Sequence, residues 1–210
     1  MRQVGVSCNT AWSVKHKVMQ AMEERDGGKP PGGLVRLDDV CWGGGRHGGK
    51  RGRGPESKAP SVAAVALHED RHPVAMNLQA VKGFRPDEIA RRAKKRLLPG
   101  GLACPDGPAC FAAATQADRL HASIVTGGGP HSATREEFAW VDTLIGNVRN
   151  AIHGSHHAID PRHLPRYLAE FCYRFNRRFD LRAMMPRFLH AAVRTPPMPA
   201  RLLKLAEAYG

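Results

Sequence analysis

The chain has 210 residues, 42% of them hydrophobic, and its 32 Lys+Arg against 19 Asp+Glu give a formal net charge of +13. That length suits one domain with a proper core and a small appendage. No apolar run approaches the ~18–20 residues that cross a bilayer, and no signal peptide opens the chain, so a soluble, cytoplasmic protein is expected rather than a membrane or secreted one.

The excess of cations favours a polyanionic partner, because each phosphate contact releases condensed counterions. A basic composition set by codon bias is the alternative on charge alone. The five cysteines, Cys8, Cys41, Cys104, Cys110 and Cys172, include no pair at C-x2-C spacing. They offer no readable zinc site and read as small buried thiols.

Residues 1–25 read as part of a helix-turn-helix. Gly5-Val6-Ser7 forms the turn with Ser7 as N-cap, and Ala11, Val14, Val18 and Met22 recur at helical spacing. Lys15, His16 and Lys17 fall off that face, which makes Lys15 and Lys17 candidate DNA contacts; an ordinary amphipathic helix is the other reading. Only four residues precede the turn, so the motif's first helix is expected to be missing. Residues 26–33 (Asp-Gly-Gly-Lys-Pro-Pro-Gly-Gly) have the composition of a linker.

Residues 34–42 alternate apolar and polar and predict a strand carrying Asp38. Residues 43–54 form a Gly-rich basic loop, with Arg46, Lys50, Arg51 and Arg53 as candidate DNA contacts or as solubilising charges. Gly44-x4-Gly49-Lys50 approaches a P-loop. Arg51 stands where Ser or Thr is required and no helix follows, which argues against a nucleotide cofactor. Residues 61–67 and 74–81 predict two more strands, joined by a turn at Glu69-Asp70-Arg71-His72, in an antiparallel meander. A helix over 86–97, a short strand at 102–104 ending before Asp106, a helix over 108–118 and a strand over 120–125 follow. From 134 onward the pattern is helical. The order β-β-β-α-β-α-β-α with further helices predicts an α/β protein with a mixed sheet, in the order of an RNase H-like fold, over residues 34–160.

Around Asp142, Val141, Leu144, Ile145, Val148 and Ile152 gather in one apolar arc at 100° per residue. Asp142, Gly146, Arg149 and His153 share the adjoining arc, within roughly 60° of one another. A carboxylate and a cation there suit a metal ligand beside a phosphate contact; a solvated helix face is the competing reading. Ser155-His156-His157 follows, read as structural or phosphate-contacting. Residues 161–210 hold 10 Lys+Arg against 3 Asp+Glu. They form a basic helical extension in which Leu164, Leu168, Phe171 and Phe175 make a core stripe. Arg174, Arg177 and Arg178 lie mostly off that stripe, as a DNA surface or a solvated face.

Several of these segments resemble the ISXO-like insertion-sequence transposases. They are Leu37-Asp38-Asp39 with Trp42-Gly43-Gly44, the basic loop Gly48-Gly49-Lys50-Arg51-Gly52-Arg53-Gly54, Asp106-Gly107 with Ala109-Cys110-Phe111, Trp140-Val141-Asp142-Thr143 with Gly146-Asn147-Val148-Arg149, and His153-Gly154-Ser155-His156-His157-Ala158. Arg166-Tyr167-Leu168-Ala169-Glu170-Phe171 and Arg174-Phe175-Asn176-Arg177-Arg178-Phe179 continue the likeness. The resemblance implies a DDE-type DNA transposase with an RNase H-like core. Asp38, Asp106 and Asp142 would hold Mg²⁺ or Mn²⁺, and Arg149 would contact a phosphate. The partners would be element-end and target DNA, with a homo-oligomer assembled on it. This branch often has Asn at the position of Asp142 and Lys at that of Arg149. Asp is the stronger Mg²⁺ ligand, whereas Arg keeps the charge but not the geometry of Lys. Family members usually carry a zinc ribbon and a full helix-turn-helix ahead of the core, so an N-terminal truncation is expected. A truncated, inactive DNA-binding remnant is the alternative.

Overall fold

The computed structural model describes residues 5–26, 32–43, 59–85, 87, 102–105, 139–156 and 159–205. They fall into two compact units: Lys29–Pro161, and a second one built from Met1–Gly28 together with Arg162–Gly210. No helix among the described residues is long and apolar enough to cross a membrane.

The first unit holds a four-stranded sheet in the order β3-β2-β1-β4, from β1 (Leu34–Trp42), β2 (Ala59–Leu67), β3 (Pro73–Ala80) and β4 (Leu102–Pro105). The expected meander is present: β1 and β2 run antiparallel with Asp38 opposite Ala63, and β2 and β3 antiparallel with Ala63 opposite Leu78. β2 begins two residues before its expected start, at Ala59. The predicted turn closes between His68 and His72, where the Arg71 N–H donates to the His68 carbonyl at 2.9 Å and Arg71 takes a φ of 64°. β4 joins β1 in parallel, with Leu37 opposite Pro105 as the last pair. Pro105 has no N–H to give, which suits the end of a ladder.

Strand periodicity sorts the side chains onto two faces. Val35 and Leu37 pack with Ala64 and Ala66 on one, joined by Val62, Ala75 and Phe84. Arg36, Asp38, Val40 and Trp42 alternate onto the other, beside the buried Ser61, Ala63 and Val65 of β2. Helix α2 (Ala139–His156) packs against β1 and β2. Its buried residues are Val141, Leu144, Ile145 and Val148, four of the five in the expected apolar arc; Ile152 is half-buried. The helices expected over 86–97 and 108–118 and the strand over 120–125 lie outside the described residues.

In the second unit, α1 (Cys8–Asp26) packs against α3 (Leu164–Phe175), α4 (Leu181–Ala192) and α5 (Ala200–Leu205). The terminal segments, read separately in the sequence, thus build one core. Ser7 caps α1 as expected, its Oγ accepting from the Thr10 N–H at 3.2 Å. Gly5 ahead of it has a φ of 67°, the left-handed conformation that a turn asks of glycine. The buried face of α1 departs from expectation. Val14 is exposed, whereas His16, Met19, Gln20, Ala21 and Asp26 are buried. Polar groups can occupy that face because α3 and the turn after it supply partners for them: Arg166 donates to the Gln20 Oε1 at 2.7 Å and Arg177 to both carboxylate oxygens of Asp26. In α3 the deepest apolar positions are Leu164, Leu168, Cys172 and Tyr173; Phe171 and Phe175 of the expected stripe are only half-buried.

Candidate functional site

Asp38 sits at the middle of β1, half-buried, two residues from the buried Arg36 on the same face. Its Oδ1 accepts a 2.7 Å hydrogen bond from the Asp39 N–H, which fixes the plane of the carboxylate against its own strand. Across the β2 ladder it faces Ala63, a side chain too short to reach over it. Across the β4 ladder the last pair is Leu37 with Pro105. Asp106 is the residue bonded to Pro105 and itself lies outside the described residues.

Asp142 stands in the first turn of α2, exposed, where the partial positive charge of a helix N-terminus favours a carboxylate. Arg149 and His153 are exposed on the same arc. A Cβ built on Gly146, between them, meets nothing within 4 Å. Among the described residues no three His, Cys, Asp or Glu side chains gather around one point. The expected set includes Asp106, so it cannot be complete among them.

The candidate DNA contacts divide sharply. Lys17 is exposed, and Arg174 is exposed with its guanidinium 3.6 Å from Glu170. Lys15 is half-buried over the Tyr167 ring, 4.8 Å from its centroid. Burial pushes its pKa down, and Glu170 pulls the other way. Arg178 is half-buried between the Phe175 and Phe179 rings and donates to the Phe175 carbonyl at 2.8 Å. Arg177 corrects the expectation of a surface cation. It is buried, bonded to Asp26 at 2.6 and 2.9 Å and to the Tyr173 carbonyl at 3.1 Å, with its guanidinium 3.5 Å from the Tyr173 ring centroid. It lies in the turn that follows α3 and points inward, where Asp26 at the end of α1 meets it. Arg46, Lys50, Arg51 and Arg53 lie outside the described residues.

Sequence reasoning missed Arg166. Buried in the second unit, it binds Gln20, the Leu203 carbonyl at 2.9 Å and the Met198 sulfur at 3.4 Å, so one side chain ties α1, α3 and α5 together. Its setting in the sequence, one more arginine in a basic helix, gives no signal of that. Arg182, Arg194, Arg201 and Lys204 are exposed and add cations to the second unit; they were legible only as part of a general charge excess.

Residues 31–176 match the family model of the ISXO2-like transposase domain. The chain belongs to that family, and with it to the transposase-type proteins. Among solved structures, it is similar to a chain of the cryo-electron microscopy structure of the simian T-cell lymphotropic virus intasome in complex with the PP2A regulatory subunit B56 gamma. The TM-score is 0.45 and the identity 9%, over 69% of this chain and 48% of that one. This chain thus spans about half the length of that one. None of the curated proteins compared with the chain matches it.

Proposed function

We propose that the chain is the catalytic part of a DDE-type transposase that cuts the ends of an insertion sequence and joins them to target DNA. Its sheet and α2 would form an RNase H-like core, with Asp38, Asp106 and Asp142 as the carboxylate set. The parallel register of β1 and β4 supports this reading: Leu37 pairs with Pro105, and Asp38 and Asp106 are the residues that follow these two in the sequence. α2 packs against β1, the strand of Asp38, and against β2, and Asp142 is exposed in its first turn. Carboxylates from three separate elements are what two-metal phosphoryl transfer needs.

All-oxygen donors of this kind fit Mg²⁺ or Mn²⁺. When bound, a pair of such ions stabilises the attacking and leaving oxygens of an in-line displacement at phosphorus. The protein's own part is positional. Asp38 accepts a hydrogen bond from the Asp39 N–H, which orients its carboxylate on the strand. Arg149, two turns along α2 from Asp142, contacts a backbone phosphate, and the gap over Gly146 gives the strand room to come close. Exposed cations such as Lys17 and Arg174 add sequence-independent attraction for the duplex, and copies assemble on paired ends.

The test is Mg²⁺- or Mn²⁺-dependent nicking and strand transfer on DNA carrying the flanking ends of the element, with DNA binding followed in parallel. Asp38→Asn, Asp106→Ala and Asp142→Ala are each expected to abolish cleavage while retaining binding and the circular dichroism of the parent. Cleavage that survives Asp106→Ala sinks the assignment. Binding without cleavage in the parent chain identifies a DNA-binding form that has lost the chemistry.

A further inference from the structure

Phe179 is 78% exposed, more than any other aromatic side chain among the described residues. It stands in the turn between α3 and α4, which backbone hydrogen bonds hold. The Arg178 N–H donates to the Phe175 carbonyl at 3.2 Å and the Asp180 N–H to the Arg177 carbonyl at 3.0 Å. Asp180 then caps α4, accepting from the Ala183 N–H at 3.2 Å. A single exposed apolar side chain is ordinary. The cations around this one are not. The Arg178 guanidinium lies 4.1 Å from the Phe179 ring centroid and 3.7 Å from that of Phe175. Its Nη1 donates to the Phe175 carbonyl at 2.8 Å, so the cation is fixed against both rings. Arg174 stands in the last turn of α3 and Arg182 is the second residue of α4, both exposed. Residues 170–187 hold five arginines against Glu170 and Asp180 alone, a net of +3 on the stretch that carries the open ring.

We propose that Phe179 is a stacking platform for an unpaired base of DNA, while the arginines beside it take the flanking phosphates. A ring and a nucleobase both offer flat π faces, and such stacking accepts any base. The charge selects this occupant over an apolar protein surface. A protein partner would have to match or desolvate the arginines, whereas a polyanion neutralises them and releases its counterions. Arg178 holds the ring from one side and the turn holds its backbone, so little freedom is lost when a base arrives. Inside an intact duplex the base faces are stacked on one another, so the site favours a single strand or an opened end over paired DNA. The inference takes DNA as the partner from the transposase reading and uses none of its metal chemistry.

The test is fluorescence anisotropy of the full chain, in EDTA, with labelled oligo(dT) of about 15 nucleotides and with a duplex of equal length. Phe179→Ala should weaken oligo(dT) binding about tenfold and duplex binding far less, with circular dichroism unchanged. Its slope of log K against log salt should match the parent's, because the phosphate contacts remain. Arg182→Ala should instead reduce that slope by about 0.7 on the single strand. Phe179→Trp should keep the parent's affinity, and the added tryptophan should be quenched on binding. Phe179→Leu, apolar but without a π face, should behave like Phe179→Ala. A parent chain that does not bind oligo(dT) overturns the proposal. So does a Phe179→Ala chain that binds it as the parent does, a loss equal on duplex and single strand, full rescue by Phe179→Leu, or a Phe179→Trp chain that binds without quenching. A parent chain that gives the expected binding but no cleavage would fail the catalytic reading and keep this one. Normal cleavage with binding untouched by Phe179→Ala would do the reverse.

Discussion

Arg177 shows how a cation changes role when a carboxylate is brought to it. Burial alone would lower its pKa, but the hydrogen bonds and charge of Asp26 outweigh that and hold it above the ordinary value. Removing one member of a buried, bidentate pair leaves an uncompensated charge, at a cost of about 3–5 kcal/mol. Asp26→Ala is therefore expected to lower the urea midpoint strongly. The double replacement Asp26→Leu with Arg177→Met should recover most of that loss. Additive losses in the double variant would mean that the pair is not coupled as the 2.6 and 2.9 Å contacts imply. His16 makes the complementary case. It is stacked on Trp12 at 3.9 Å and faces His163, Tyr167, Arg166 and Lys15. Burial, then the charges of His163, Arg166 and Lys15, push its pKa from 6.5 down to about 4. The fold thus holds the neutral imidazole while the unfolded chain takes up a proton below 6.5. Stability is complete above pH 6.5 and falls as the pH drops from 6.5 to about 4, by a few kcal/mol in all. Denaturant titrations of His16→Phe should show a flatter slope across that window; an unchanged slope would assign the acid sensitivity to other groups.

At the scale of elements, the strands were the most legible part. Val35, Leu37, Ala64 and Ala66 alternate with period two, and the polar run 68–72 marks the turn, so β1, β2 and β3 follow from local pattern alone. The arc Val141, Leu144, Ile145 and Val148 predicted the buried side of α2 for the same reason. Helix α1 was legible as a helix but not in its orientation. Val14 looked like a core residue, His16 fell off the expected face, and Asp26 opened the expected linker. What reverses them is Arg166 and Arg177, some 146 and 151 positions away in the chain, and no local window contains those partners. Its N-cap, by contrast, is local and was readable. Ser7→Ala should cost about 1 kcal/mol of stability, against about 0.3 for Ser7→Gly, by thermal or urea unfolding. Equal losses for the two would mean that the Ser7 Oγ contact to Thr10 contributes nothing.

For the whole molecule, the sequence did not disclose the way the two ends of the chain share one core. The candidates Asp38 and Asp142 each sit in an element whose period is clear, whereas the packing of α2 against β1 and β2 is not written in either local pattern. The same folding sorts the basic surface that the net charge of +13 advertises without locating. Arg174, Arg177 and Arg178 are near neighbours in sequence, yet only Arg174 is exposed. If the outer side of α3 meets duplex DNA, Arg174→Ala should weaken binding about equally for all sequences. It should also reduce the slope of log K against log salt by about 1 in fluorescence anisotropy titrations. Arg177→Met, made together with Asp26→Leu to keep the core balanced, should leave that slope unchanged, because its charge is already neutralised inside the unit. A slope altered by the buried pair and untouched by Arg174→Ala would place the DNA away from α3. The cations of residues 43–54 would then have to supply the attraction.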